Sequence, residues 1–136
     1  MTPNNLDPLL KGKTILVIDD EPDSLEIAET LLLDMGMDVL TARNGLEALK
    51  VLENSMPDYI ISDLSMPSMS GWELIDLIKR DRRLMEIPVF ALTAHVMPGD
   101  RSKAIAAGFH NYLTKPLNPD TFVNDLVAVI HQFHQE

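Results

Sequence analysis

Five short, nearly uninterrupted apolar runs punctuate this chain, and each is followed by residues whose apolar positions recur at helical spacing. Such runs suit strands buried on both faces. Thr14–Ile18 is the first. Asp23 and Ser24 then offer N-caps for a helix carrying Leu25, Ala28, Leu31, Leu32 and Met35, which Gly36 stops. Met37–Ala42 reads as a second strand and Gly45–Asn54 as a second helix. Tyr59–Ser62 is the third strand, and Ser70-Gly71 opens a third helix with Leu74, Ile75 and Ile78 facing inward. Pro88–Leu92 is the fourth strand, and the fourth helix starts at Pro98 and ends at Gly108. Asn111–Thr114 is the fifth strand, and a last helix runs from Asn118-Pro119 to about Phe133. Strands separated by helices pair in parallel through right-handed crossovers. The expected fold is therefore α/β: a doubly wound, five-stranded parallel sheet with helices on both faces.

The 136 residues are enough for one domain with one real core, without disulfides or a structural metal. Residues 1–12, broken by Pro3 and Pro8, read as a short arm, with the domain proper spanning 13–136. Acidic residues number 21 against 11 basic, a net charge of −10. That balance argues against direct nucleic-acid binding and against an anionic membrane surface. The chain has no cysteine, which excludes thiolate zinc sites and cysteine nucleophiles. No apolar run approaches the roughly 18 residues of a membrane-spanning helix, and no signal segment opens the chain. The expected compartment is the cytoplasm.

In an open parallel sheet, ligands bind beyond the carboxyl ends of the strands. Those ends are all polar here: Asp19-Asp20-Glu21 after the first strand, Asp63 after the third, Thr93-Ala94 after the fourth and Thr114-Lys115-Pro116 after the fifth. Taken singly, each has a bland reading: a helix cap, a solvated loop acid, a surface lysine, a turn threonine. Taken together, they place the carboxylates of Asp19, Asp20 and Asp63, the Thr93 hydroxyl and the Lys115 ammonium at one rim. Two carboxylates about 4 Å apart repel by roughly 4 kcal/mol at an effective dielectric near 20. Stability alone does not select such a group, whereas a hard divalent cation relieves it. Oxygen donors suit Mg²⁺, or Mn²⁺, over zinc. A lysine beside such a cation suits a phosphoryl oxygen. Asp63 is the candidate nucleophile, its carboxylate forming an acyl phosphate.

Four blocks carry a resemblance: Ile-Leu-Val-Ile-Asp-Asp-Glu-Pro (15–22), Asp63-Leu-Ser-Met-Pro-Ser-Met-Ser-Gly71, Leu-Thr-Ala (92–94) and Tyr-Leu-Thr-Lys-Pro (112–116). In this order and spacing they resemble a response-regulator receiver domain of two-component systems over about residues 13–134. The resemblance implies a flavodoxin-like (βα)5 fold. It implies Asp63 as the phosphoacceptor, Lys115 as the phosphate-contacting lysine, and Thr93 and Tyr112 as the switch pair. It implies Mg²⁺ held by Asp20, Asp63 and the Ser65 backbone carbonyl, with Asp19 acting through water. Ser65 and His95 would flank the attacking water and tune the phosphate's lifetime, and Pro116 would follow a cis bond. The implied partners are a sensor histidine kinase or histidine phosphotransfer protein upstream, and a protein target downstream. That target would dock on the face of the fourth helix, fifth strand and fifth helix; a homodimer is the other assembly to consider. The protein would be a timed switch that labels itself and slowly autodephosphorylates, not a turnover enzyme.

In the last helix, Val123 and Val127 lie beside the main apolar stripe and are expected to be partly exposed, as a partner surface. His131 and His134 fit stabilisation of the helix C-terminus better than metal binding. Trp72 is expected near the acid site. Met66, Met69 and Met97 either line that site or fill gaps. Because the chain stops after the fifth helix, a stand-alone receiver is expected, the alternative being a receiver excised from a hybrid kinase. An aspartate-nucleophile phosphatase of the haloacid dehalogenase class would need Asp-x-Asp-x-Thr, and Asp63-Leu-Ser-Met-Pro lacks it. A flavin-binding flavodoxin would need a hydroxyl- and glycine-rich first loop, where this chain has Asp-Asp-Glu-Pro-Asp.

Overall fold

The computed structural model describes residues 7–94, 99–115 and 117–135. His95, Met97, Pro98 and Pro116 lie outside them, and so do the readings attached to those residues. The elements follow in the order β1 (Thr14–Ile18), α1 (Pro22–Asp34), β2 (Asp38–Ala42), α2 (Gly45–Asn54), β3 (Tyr59–Asp63), α3 (Gly71–Arg80), β4 (Val89–Thr93), α4 (Asp100–Ala107), β5 (Asn111–Thr114) and α5 (Phe122–His134). All five strands are parallel, in the order β2-β1-β3-β4-β5. The strand order reverses between β1 and β3, the switch point where a parallel sheet opens a crevice at its carboxyl edge.

Alternation along the strands sorts the core into two layers. Ile15, Val17, Tyr59, Ile61, Phe90, Leu92 and Leu113 face α1 and α5, packing on Ala28, Leu32, Phe122, Leu126 and Ile130. Leu16, Ile18, Ile60, Val89 and Ala91 face the other way, onto Leu52 of α2, Leu74, Ile75 and Ile78 of α3, and Ala104 of α4. Both faces are thus buried, which is why the strands read as continuous apolar runs.

Several boundaries differ from the sequence reading. Helix α1 begins at Pro22, with Glu21 in the cap position and no side-chain cap, so Asp23 and Ser24 lie inside it. Proline is favoured there because the first helical N–H has no partner to lose. The fourth strand starts after Pro88, which has no N–H for the ladder, and it includes Thr93. Helix α4 starts at Asp100, after Gly99 in the left-handed region (φ 89°). Helix α5 starts at Phe122: Asn118 instead makes a turn, its Oδ1 accepting from the Asp120 N–H at 2.9 Å.

The described end of the arm is docked onto the sheet. Leu10 is fully buried in the α1–α5 layer. The Tyr59 hydroxyl donates to the Leu9 carbonyl at 2.8 Å and lies 3.0 Å from His134 Nε2, while His131 Nε2 meets Asp7 Oδ2 at 2.8 Å. The two histidines that sequence assigned to the helix end therefore pin the amino-terminal segment across the amino edge of the sheet. Among the described residues no helix is long and apolar enough to cross a membrane.

Candidate functional site

Three backbone arrangements bring the carboxyl edge together. The Asp19 N–H donates to Ala42 O at 3.1 Å, extending the β1–β2 ladder by one residue. The Lys115 N–H donates to Thr93 O at 2.8 Å, doing the same between β5 and β4. The loop after β3 is closed by α3, where Ser70 and Glu73 form a reciprocal capping box. Gly71 opens that helix directly against Asp63: a Cβ there would sit 2.2 Å from the Asp63 carbonyl oxygen, so only glycine allows this approach.

Asp63 Oδ1 accepts from the Ser65 N–H at 3.1 Å, and Asp19 Oδ1 accepts from the Glu21 N–H at 3.0 Å. The Lys115 ammonium spans the group. It reaches Asp19 Oδ1 at 3.0 Å, Asp63 Oδ2 at 2.9 Å and Glu21 Oε1 at 2.7 Å. An ammonium has three N–H bonds, so these acceptors use its full capacity. Asp20, Glu21, Asp63, Ser65, Thr93, Ala94 and Lys115 line an open cavity of about 230 Å³.

The electrostatics show a site short of positive charge. Burial pushes the Asp63 carboxyl above the usual range, and nearby Asp19 adds to this, against the pull of Lys115 and the Ser65 N–H. Asp20 is raised by burial and then by the Asp63 carboxyl beside it. Burial alone would lower the Lys115 ammonium, but the hydrogen bonds it donates to Glu21, Asp63 and Asp19 outweigh it and hold the group well above an ordinary lysine. Lys115 is therefore a fixed cation.

Asp19, Asp20 and Asp63 present carboxylate oxygens within 4.8 Å of one another. Asp19 Oδ2 is buried and has no hydrogen-bond partner among the described residues. An orphaned buried carboxylate oxygen is expensive, and a hard cation would satisfy it. This donor set, all oxygen and more anionic than one lysine can neutralise, fits a Mg²⁺-class ion.

Of the residues read as a site, Asp19, Asp20, Asp63, Ser65, Thr93 and Lys115 converge here. Tyr112 lies one step away. With Thr93, Ser65, Trp72 and the α4 residues Asp100, Lys103 and Ala104, it lines a second hollow of about 160 Å³. Thr93 thus borders both spaces. Trp72 stands at this second hollow, its ring edge-on to Phe109 (centroids 5.8 Å, 83°). Met66 and Met69 pack against the α2–α3–α4 layer, and Met69 fills the space where Gly45 has no Cβ. Val123 and Val127 are partly exposed, yet both also pack against the α1–α5 layer. Sequence reasoning missed the Glu21–Lys115 contact. No local signal announced it: Pro22 removes only its own N–H and leaves those of the next two residues open to a cap, so residue 21 still read as a capping acid.

Comparison with known proteins gives a consistent picture. The model of the response regulator receiver domain matches residues 15–127. An uncharacterised 14.6 kDa protein of Leptolyngbya boryana is 39% identical over 119 residues, covering 88% of each chain. The polar-differentiation response regulator DivK of Brucella anthropi is 32% identical over 118 residues, covering 87% of this chain and 96% of that one. The solved chemotaxis response regulator CheY4 of Vibrio cholerae superposes with a TM-score of 0.82 at 31% identity, covering 88% of this chain and 99% of that chain. The receiver domain of a sensor histidine kinase from Pseudomonas aeruginosa, with magnesium coordinated in its active-site cleft, gives 0.77 at 28% identity, covering 88% and 98%.

Proposed function

This chain belongs to the response regulator receiver family of two-component systems, with its flavodoxin-like fold, and on that premise we propose that it is a phosphoacceptor switch working through Asp63. The observation that carries the reading is the convergence of Asp63 Oδ2, Lys115 Nζ and the under-neutralised Asp19–Asp20 pair in one open cavity.

Asp20, Asp63 and the Ser65 carbonyl would hold Mg²⁺, with Asp19 acting through water. The ion would neutralise charge that accumulates on a transferring phosphoryl group. The remaining chemistry belongs to the chain. The Ser65 N–H and the Lys115 ammonium grip the two oxygens of Asp63 and fix its carboxylate in the wall of the cavity. In transfer from a phosphohistidine, an Asp63 oxygen forms the new bond to phosphorus as the donor's N–P bond breaks, and imidazole leaves. Lys115 stabilises the phosphoryl charge throughout.

The product carries about two negative charges where the Asp63 carboxylate carried one. Thr93 borders this cavity and the neighbouring hollow, so a shift of its hydroxyl toward the phosphoryl group would open room for Tyr112. That would bias the face of α4, β5 and α5 for a downstream protein. The upstream partner would be a histidine kinase or phosphotransfer protein, in the cytoplasm, and Ser65 would help set the lifetime of the phosphate.

The test is incubation with Mg²⁺ and a small phosphodonor, read by intact mass. Wild type should gain one phosphoryl group, and Asp63→Asn none. Label persisting in the variant would move the acceptor elsewhere. Sustained turnover of phosphate esters would argue for a phosphatase instead.

A further inference from the structure

A phosphoryl group approaching the intact Asp63 carboxylate needs an N–H from Lys115, yet all three are already engaged. One acceptor therefore has to leave. Asp19 and Asp63 have side chains only 1% and 8% exposed, and until phosphorus bonds to Asp63, removing either acceptor would strand a buried charge. The Glu21 side chain is 63% exposed and would simply rehydrate. Its backbone is held by Asp19 Oδ1, and Pro22 starts α1 without a capping bond from residue 21, so the carboxylate can swing with no loss to the helix. At 2.7 Å it is nevertheless the shortest of the three lysine contacts.

We propose that Glu21 is a placeholder on Lys115: its carboxylate occupies the N–H that an incoming phosphoryl oxygen must take, and so restrains phosphorylation until it is displaced. Glu21 is thus a positioning residue, acting through Lys115 and not on phosphorus. The inference rests on the reading of Asp63 as phosphoacceptor.

Phosphoramidate with Mg²⁺ tests it. An Asp63 oxygen bonds to phosphorus, the P–N bond breaks, and nitrogen leaves with the electron pair as neutral ammonia, carrying protons it already held; no other co-reactant is needed. Initial labelling rates are measured by intact mass against donor concentration, at a Mg²⁺ level shown to saturate each variant. Glu21→Gln should raise the rate per donor concentration by about two- to fivefold, the range open to a solvent-screened ion pair. Asp23→Asn removes a charge two residues away that has no contact with Lys115, and should stay at the wild-type rate. An unchanged or slower Glu21→Gln overturns the proposal. Equal acceleration in Asp23→Asn also overturns it, because the effect is then general charge repulsion. Failure of the underlying reading looks different: wild type takes no label, or Asp63→Asn keeps it.

Discussion

At the amino edge of the sheet, Asp7, Tyr59, His131 and His134 meet their partners at 2.8–3.0 Å and close the arm over Leu10. At the carboxyl edge, Asp19, Glu21 and Asp63 surround one lysine with Asp20 beside them, and Asp19 Oδ2 is left with no partner among the described residues. The same strands run between both edges. One end is arranged for stability, with those four groups paired. The other is held short of positive charge, and that shortage is what lets it attract a cation and a phosphoryl group. Removing groups should therefore have opposite consequences at the two ends.

The largest effect is expected at the amino end. Leu10→Ala should cost about 2–5 kcal/mol by denaturant titration, since a fully buried side chain is lost. The folded variant should still accept phosphate. A neutral result would show that the arm is not part of the core.

Next in size, Tyr59→Phe should cost about 1 kcal/mol, because the Leu9 carbonyl loses its donor. Burial first, then Asp58 and Asp7, push the Tyr59 hydroxyl up to about 12. The unfolded tyrosine ionises earlier, so wild-type stability should fall as pH rises from about 10. Tyr59→Phe should lose that fall.

Acid should then separate the ends by sign. Asp20 and Asp63 are raised in the folded protein, so in metal-free buffer the folded state holds extra protons just above the ordinary carboxylate range of about 4. Their contribution to stability should grow as pH falls from neutral through that window. Asp63→Asn should abolish most of this gain and melt a few degrees above wild type at neutral pH.

Asp7 has the opposite sign. Burial is the largest single influence and lifts it, but the His131 contact and the Leu9 N–H together outweigh this and hold it below its usual value. Its contribution is present above the unfolded pKa and is lost as pH falls through the folded one. Asp7→Asn should cost only about 0.5 kcal/mol at neutral pH, as for a partly exposed pair. A matching acid response from both edges would break the contrast.

The carboxyl edge was legible in sequence because strand ends in a parallel sheet must converge, and Asp19, Asp20, Asp63, Thr93 and Lys115 each end an apolar run. The two-layer core was legible for the same reason, through the continuous runs. The amino edge was not. Asp7 and His131 are 124 residues apart, Tyr59 and His134 are 75 apart, and no local spacing announces such pairs. Helix starts were misplaced where proline or a turn replaced a side-chain cap, as at Pro22 and Asn118. The Glu21 contact was hidden because an exposed acid after a strand looks the same whether it caps a helix, meets water or holds a lysine.

Thermal melting with increasing Mg²⁺ reaches the account's core most directly. Wild type and Tyr59→Phe should both gain melting temperature as the ion binds, while Asp20→Ala should show no gain. A rise that survives intact in Asp20→Ala, or no rise in wild type, would contradict a carboxyl edge built to take a cation.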